Sequence, residues 1–328
     1  MPSETTLALM RELANRGSKA LDFSRRSMLD ENIEYSKLRE ALSHYISYWN
    51  DFTHAGLFSI ACEAVGGDVE EFIQTEAGLA LMAASFDIQD DILDNSKTKN
   101  KQPTVFGKYG LDLTILLADA FLIKGYTIFF DSIEEKSPEN FRDIMQVLKN
   151  CFFEMGNAHA TEISFRGRNS LSENECMSLV RNKAASIEAD IHIAAILGGG
   201  TKKQSDALAK YGRNVGILTT LREEFIDVFE KEELKQKVRI ERLPIPIIYA
   251  MHDLKTKNKM ENIIVRKAFT QNDINSLVDL IFRSTSVQKL KKNMEDLVSD
   301  SLCILQALDD SNAIKTLQHI VSSMLEDL

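Results

Sequence analysis

Proline is scarce in this chain, at five residues in 328 (Pro2, Pro103, Pro138, Pro244 and Pro246). No Ser/Gly/Pro-rich stretch marks a flexible linker. Residues 1–328 are therefore read as one domain with one large core, although the length alone would suit two. The four cysteines, Cys62, Cys151, Cys176 and Cys303, are scattered. That spacing fits neither a disulfide framework nor a zinc cluster, and suits buried thiols in a reducing compartment. Positive charge is in deficit, with 39 Lys and Arg against 49 Asp and Glu for a net charge of -10. Without a basic stripe to displace counterions, nucleic acid is excluded as a partner. No uninterrupted apolar run approaches the roughly 20 residues of a membrane span, and the N-terminus lacks a signal-peptide pattern. The expectation is a cytoplasmic protein with no transmembrane segment.

Alternating strand patterns are missing as well, whereas nearly every window has helical periodicity. The punctuation is that of helices. Ser172-x-x-Glu175 and Thr201-x-x-Gln204 fit capping boxes, and Ser137-Pro138-Glu139 reads as a helix start. Gly198-Gly199-Gly200 closes an apolar helix through Ile191 to Leu197, and Gly66-Gly67-Asp68 separates two more. The prediction is all-α: ten to twelve mostly long helices in a large antiparallel bundle, with a cavity between the central ones.

Against this background stands an acidic run, Asp87-Ile88-Gln89-Asp90-Asp91-Ile92-Leu93-Asp94, echoed later by Glu223-Glu224-Phe225-Ile226-Asp227. Asp87, Asp90, Asp91 and Asp94 share one helical face. Bare carboxylates so placed repel one another, more strongly when partly buried. Two facing stripes of this kind would offer hard oxygen ligands suited to Mg2+, and the cation would clamp an anionic substrate such as a diphosphate. Polar, lysine-rich Asn95–Gln102 follows the first run, and charged Lys231–Arg242 follows the second.

Asp90-Asp91-Ile92-Leu93-Asp94-Asn95-Ser96, with Gln102-Pro103-Thr104 beyond it, resembles the first aspartate-rich motif of the isoprenyl diphosphate synthases. Arg181-Asn182-Lys183-Ala184-Ala185-Ser186, Tyr211-Gly212-Arg213-Asn214-Val215-Gly216 and Leu243-Pro244-Ile245-Pro246 are similar to three further landmarks of that family, in its order, across roughly residues 40–300. The resemblance implies the isoprenoid-synthase helical bundle and a Mg2+-dependent transferase. Such an enzyme condenses an allylic diphosphate with isopentenyl diphosphate to a short trans-prenyl diphosphate. It implies metal ligation by Asp90, Asp91 and Asp94 and by Glu223, Glu224 and Asp227, and diphosphate contacts from Lys183 and Lys99. It also implies a homodimer, or a heteromer with a homologous subunit.

The departures from the family pattern leave alternatives open. Two aspartates of the second motif are glutamates, and the additional methylene moves each oxygen by about 1.5 Å. The family's basic segment for isopentenyl diphosphate is replaced by Asp51-Phe52-Thr53-His54-Ala55, leaving His54 as its one cation. Asn100 stands where a second arginine is usual. These losses suit a cyclase or a transferase with another acceptor, or a non-catalytic partner subunit. Phe86, one turn before Asp90, is either a cavity plug that limits chain length or a core residue. His159 and Glu162 share a helical face and are read as cavity lining or core bonding, not as metal ligands.

Overall fold

The structure is a computed structural model and describes residues 3–99, 102–168, 170–266, 269–326 and 328, with backbone alone at 232, 233 and 239. Asn100 lies outside the described residues. Sixteen α-helices run among those described. The chain opens with α1 (Glu4–Leu29), α2 (Ser36–Tyr48) and α3 (Thr53–Ala64). A 3-10 turn at Val69–Phe72 leads into α4 (Ile73–Leu93), then come α5 (Val105–Tyr109), α6 (Leu111–Lys136) and α7 (Phe141–Phe165). Next are α8 (Glu173–Lys183), α9 (Ala185–Leu197), α10 (Lys202–Phe229) and α11 (Lys231–Arg239). The chain closes with α12 (Ile245–Met251), α13 (Leu254–Ile264), α14 (Gln271–Arg283), α15 (Thr285–Gln306) and α16 (Asn312–Ser323). The all-α expectation holds, with one small addition. Thr98–Lys99 pairs antiparallel with Gln102–Pro103 as a short ribbon after the first acidic run.

The helix count exceeds the predicted ten to twelve, in part because the stretch around Lys183 is not continuous. One break, at Ala184, separates α8 from α9 and leaves Lys183 as the last residue of its helix. Both predicted capping boxes form, at Ser172 and Thr201, and Gly198 ends α9 with Gly199 at a φ of 81°. Ser137-Pro138 does not start a helix. It makes a turn, and α7 begins three residues later with Asn140 as its cap.

Helix α4 sits at the centre because it is apolar nearly all round; Ala77, Gly78, Leu81, Ala84 and Ile88 are among its buried residues. It crosses α6 backbone to backbone. A Cβ added at Gly78 would lie 2.8 Å from the Gly125 carbonyl, and one at Gly125 would lie 2.7 Å from the Gly78 carbonyl. Only glycine allows that approach. Helix α10 is the second central helix, with Tyr211, Val215, Leu218 and Phe225 buried. The Tyr211 hydroxyl ties it to α16 by donating to the Leu317 carbonyl at 2.7 Å.

The expectation about apolar runs needs correction at α6. This 26-residue helix is long and apolar enough to cross a membrane. Asp119 and Lys124 break the run between Leu113 and Phe130, so counting uninterrupted residues misses it. One side of α6 packs on α4, while Leu116, Ile123 and Tyr126 are exposed on its outer side, as is Phe153 on α7.

Candidate active site

The first acidic run forms the last turns of α4, and Asp94 is its C-terminal cap. Consecutive helical residues project about 100° apart, so the stripe faces two ways. Asp87 and Asp91 look toward α2 and the ribbon. Asp87 accepts hydrogen bonds from the Tyr45 hydroxyl (3.2 Å) and from Lys99 Nζ (2.5 Å). Asp91 is buried; burial and the charge of Asp87, followed by Asp90 and Asp94, push it up to about 7 against the pull of Lys99. Asp90 and Asp94 look toward α7. Asp90 Oδ1 lies 3.1 Å from His159 Nδ1, and Asp94 Oδ1 lies 3.5 Å from Arg166 Nη2. Burial alone would raise Asp90, but the His159 hydrogen bond and the Lys183 charge hold it below the ordinary carboxylate range. Asp94 is pushed up to about 7 by burial, then by Asp90, Glu241 and Glu162.

On α10 the three acids also part company. Glu223 lines a cavity, where desolvation and the charge of Asp227 push it up to about 7. Asp227 Oδ2 lies 3.2 Å from Lys237 Nζ. Glu224 points into the core. Arg242 grips it with two nitrogens, Nη1 to Oε2 at 3.0 Å and Nη2 to Oε1 at 2.5 Å, and the Ile245 N–H donates to Oε2 at 2.9 Å. Burial would raise this carboxyl, but Arg242 brings it down to about 2. Glu224, expected as a metal ligand with its neighbours, has both oxygens engaged by Arg242 and the Ile245 N–H. The cause is helix geometry: Glu224 is buried because it projects away from the cavity that Glu223 faces.

Lys183 links the two acidic segments. Its Nζ lies 2.6 Å from Glu162 Oε2, and Arg242 Nη2 lies 2.8 Å from Glu162 Oε1. Burial would lower Lys183, but Glu162 and Asp90 raise it, so it stays charged. Its charge lowers the proton affinity of Asp90 and Asp94 on one side and of Glu223 on the other. One ammonium thus acts on carboxylates of both segments. Gln236 adds a direct tie from α11, donating to Ser96 Oγ at 2.7 Å and to the Asp94 carbonyl at 3.3 Å.

Beside these carboxylates opens a cavity of about 800 Å³, with Tyr48, Trp49, His54, Asp87, Lys99 and Glu223 among its lining. Phe86 faces α7 instead. Its ring centroid is 5.1 Å from that of Phe152 and 6.3 Å from that of His159, on which it stacks.

Several participants carry no signal in the sequence. Arg166, the C-terminal cap of α7, reaches Asp94 across 72 residues and also donates to the Leu93 carbonyl. Arg25, on α1, lines the cavity and donates to the Trp49 carbonyl. His159 and Glu162 were legible as one helical face, and the structure places them against Asp90 and Lys183.

The donor set suits Mg2+. Among the described residues no three His, Cys, Asp or Glu side chains are gathered tightly enough to hold an ion by themselves. Mg2+ seldom needs such a cage, because it keeps waters and takes one or two carboxylates together with substrate phosphates. The acids present are hard oxygen donors, and three of them are pushed up to about 7 by desolvation and by neighbouring carboxylates.

Central acidic helices lining one cavity in an all-α bundle define a class, and comparison with known proteins identifies it. The polyprenyl synthetase family model matches residues 37–281, and the chain belongs to that family. It is a prenyltransferase. A short chain isoprenyl diphosphate synthase of Methanothermobacter thermautotrophicus is 24% identical over 312 residues, covering 91% of this chain and 95% of the relative. A geranylgeranyl diphosphate synthase of Methanosarcina mazei is 26% identical over 71% of each chain. The geranylgeranyl pyrophosphate synthetase of Pyrococcus horikoshii superposes with a TM-score of 0.84 at 20% identity, covering 99% of this chain and 100% of the other. A polyprenyl synthase of Caulobacter crescentus, complexed with calcium and isoprenyl diphosphate, superposes with a TM-score of 0.80 at 15% identity, covering 96% and 97%.

Proposed function

We propose that this protein is a Mg2+-dependent prenyltransferase that joins an allylic diphosphate to isopentenyl diphosphate, giving a short trans-prenyl diphosphate. What supports the reading is that the two distant acidic segments meet: Gln236, after the second, donates to Ser96 Oγ at 2.7 Å and to the Asp94 carbonyl at 3.3 Å, and Lys183 and Arg242 share Glu162 nearby. The relatives named as short-chain and geranylgeranyl synthases support the substrate class, and the Caulobacter protein was seen with a divalent cation and a prenyl diphosphate together.

In this reading Asp90, Asp91 and Asp94 hold Mg2+ from α4, and Glu223 and Asp227 hold it from α10. Bound Mg2+ supplies Lewis acidity, drawing negative charge off the leaving diphosphate. Lys183, Lys99 and Arg166 orient the allylic diphosphate, with charge-assisted hydrogen bonds that strengthen as the C1–O bond breaks. The apolar walls keep water from the allyl cation, so that the isopentenyl double bond attacks it and a proton is then lost. Phe86, closing the α7 side with Phe152, limits the length of the prenyl tail.

The test is the product itself. Purified protein with Mg2+, isopentenyl diphosphate and allylic diphosphates from C5 to C20 should yield elongated diphosphates by mass spectrometry, and Phe86→Ala should shift them toward longer chains. A distribution unchanged by the variant would remove Phe86 from that role, and no product from any donor would contradict the assignment. One observation favours a second acceptor class: Asp51, Asp87 and Glu223 place three carboxylates in the cavity where the acceptor would sit. Diphosphate release without elongation would identify that case.

The exposed Leu116 and Ile123 on α6 and Phe153 on α7 suit a second copy of this chain. Light scattering should then give about twice the 37.0 kDa chain mass. A mass of one chain at working concentration would contradict the dimer.

A further inference from the structure

The acceptor cavity lacks the contiguous basic segment of the family, yet one of its cations is held in an unusual way. His54, in the first turn of α3, lines the cavity, and its Nδ1 lies 2.5 Å from Asp190 Oδ2. Asp190 stands on α9 and is only 4% exposed. A carboxylate so deeply buried is tolerated where a partner compensates its charge. With Nδ1 engaged by Asp190 on α9, Nε2 is the ring nitrogen that can serve a ligand in the cavity His54 lines.

Resting on the prenyl-transfer reading above, we propose that Asp190 is a positioning residue that keeps His54 as a charged donor. In this arrangement Nε2–H of His54 binds the diphosphate of the acceptor. A single buried pair takes over work that a run of basic side chains would otherwise do.

The other charges around the cavity do not provide this. Lys99 is paired with Asp87 at 2.5 Å. Arg25 is turned to Asp22 (3.3 Å) and to the Trp49 carbonyl. Asp51 accepts the Thr53 N–H at 2.9 Å at the start of α3. Glu223 opens into the cavity from α10, and Glu76 on α4, pushed up to about 8 by burial, accepts from the Ser59 hydroxyl at 3.0 Å and carries little charge at neutral pH. Among these groups burial alone would lower His54, but Asp190, helped by Asp51 and Glu223, raises it to about 9. The imidazole is therefore cationic at neutral pH, where an unassisted histidine near 6.5 is mostly neutral.

The experiment is steady-state kinetics of the full chain with Mg2+, an allylic diphosphate and isopentenyl diphosphate, comparing wild type with Asp190→Asn. Asparagine keeps the shape and a hydrogen bond but removes the charge. At pH 8 the KM for isopentenyl diphosphate should rise about tenfold, the value of one charge-assisted hydrogen bond, while the KM for the allylic donor stays where it was. The wild-type acceptor KM should stay flat until pH approaches 9, whereas that of the variant should start to climb near 6.5. His54→Arg in the Asp190→Asn background should restore the acceptor KM and remove the pH dependence, since arginine stays charged unaided.

An unchanged acceptor KM in Asp190→Asn would overturn the proposal. So would a parallel rise of both KM values that His54→Arg fails to rescue, which would mark a purely structural pair. Diphosphate release from the donor without use of isopentenyl diphosphate would overturn this acceptor assignment and leave prenyl-donor activation standing. No release from any donor would overturn the underlying reading itself.

Discussion

Replacing Asp90 and Asp91 together with alanine should abolish turnover, a loss of about 10³-fold or more, because the change removes the electrostatic machinery that stabilises the departing diphosphate. At Asp91 the loss should not come from unfolding. Burial and neighbouring like charges push Asp91 up to about 7, so its ionised form works against the folded state at neutral pH. Removing that charge relieves repulsion within the cluster. Asp91→Asn alone should therefore melt no lower than wild type while losing most activity. The two readouts separate function from structure: a thermal melt beside a diphosphate-release assay. Undiminished turnover in the double variant would sink the metal assignment, and a collapse of the melting temperature in Asp91→Asn would make that carboxylate structural.

The second large effect is expected at Arg242, in the opposite sense. Its side chain is 2% exposed and lies between Glu224 and Glu162. Arg242→Met should cost about 3–5 kcal/mol of stability, because it leaves buried Glu224 without its ion-pair partner and Glu162 with Lys183 alone. Pairing it with Glu224→Gln should recover part of that loss, as neighbours in one network are not additive. Denaturant titration measures both. If Arg242→Met were as stable as wild type, and Glu224→Gln instead weakened Mg2+ dependence, Glu224 would belong with the metal ligands after all.

The contrast between Glu223 and Glu224 marks the limit of what was legible in the sequence. Helical periodicity, capping boxes and the glycines after α9 fixed most of the fold, because those signals are local. The acidic segments were equally readable as candidates for the site. Their division of labour was not: neighbours 100° apart on a helix face different surroundings, and only packing reveals which side is core. The partners that decide the electrostatics lie far off in sequence. Arg166 reaches Asp94 across 72 residues, Arg242 reaches Glu162 across 80 and Asp190 reaches His54 across 136. No spacing rule connects such pairs. Lys183 was read as one residue of an apolar helix, and the break at Ala184 makes it the end of α8, paired with Glu162 on α7.

The central claim is that α4 and α10 contribute to one cation-dependent diphosphate site. Its most direct test is calorimetric titration of the protein with an unreactive allylic thiolodiphosphate, with and without Mg2+. Binding should require Mg2+ and should be lost both in Asp90→Asn/Asp94→Asn and in Glu223→Gln/Asp227→Asn. Equal binding without Mg2+, or full binding after the α10 change, would contradict the account.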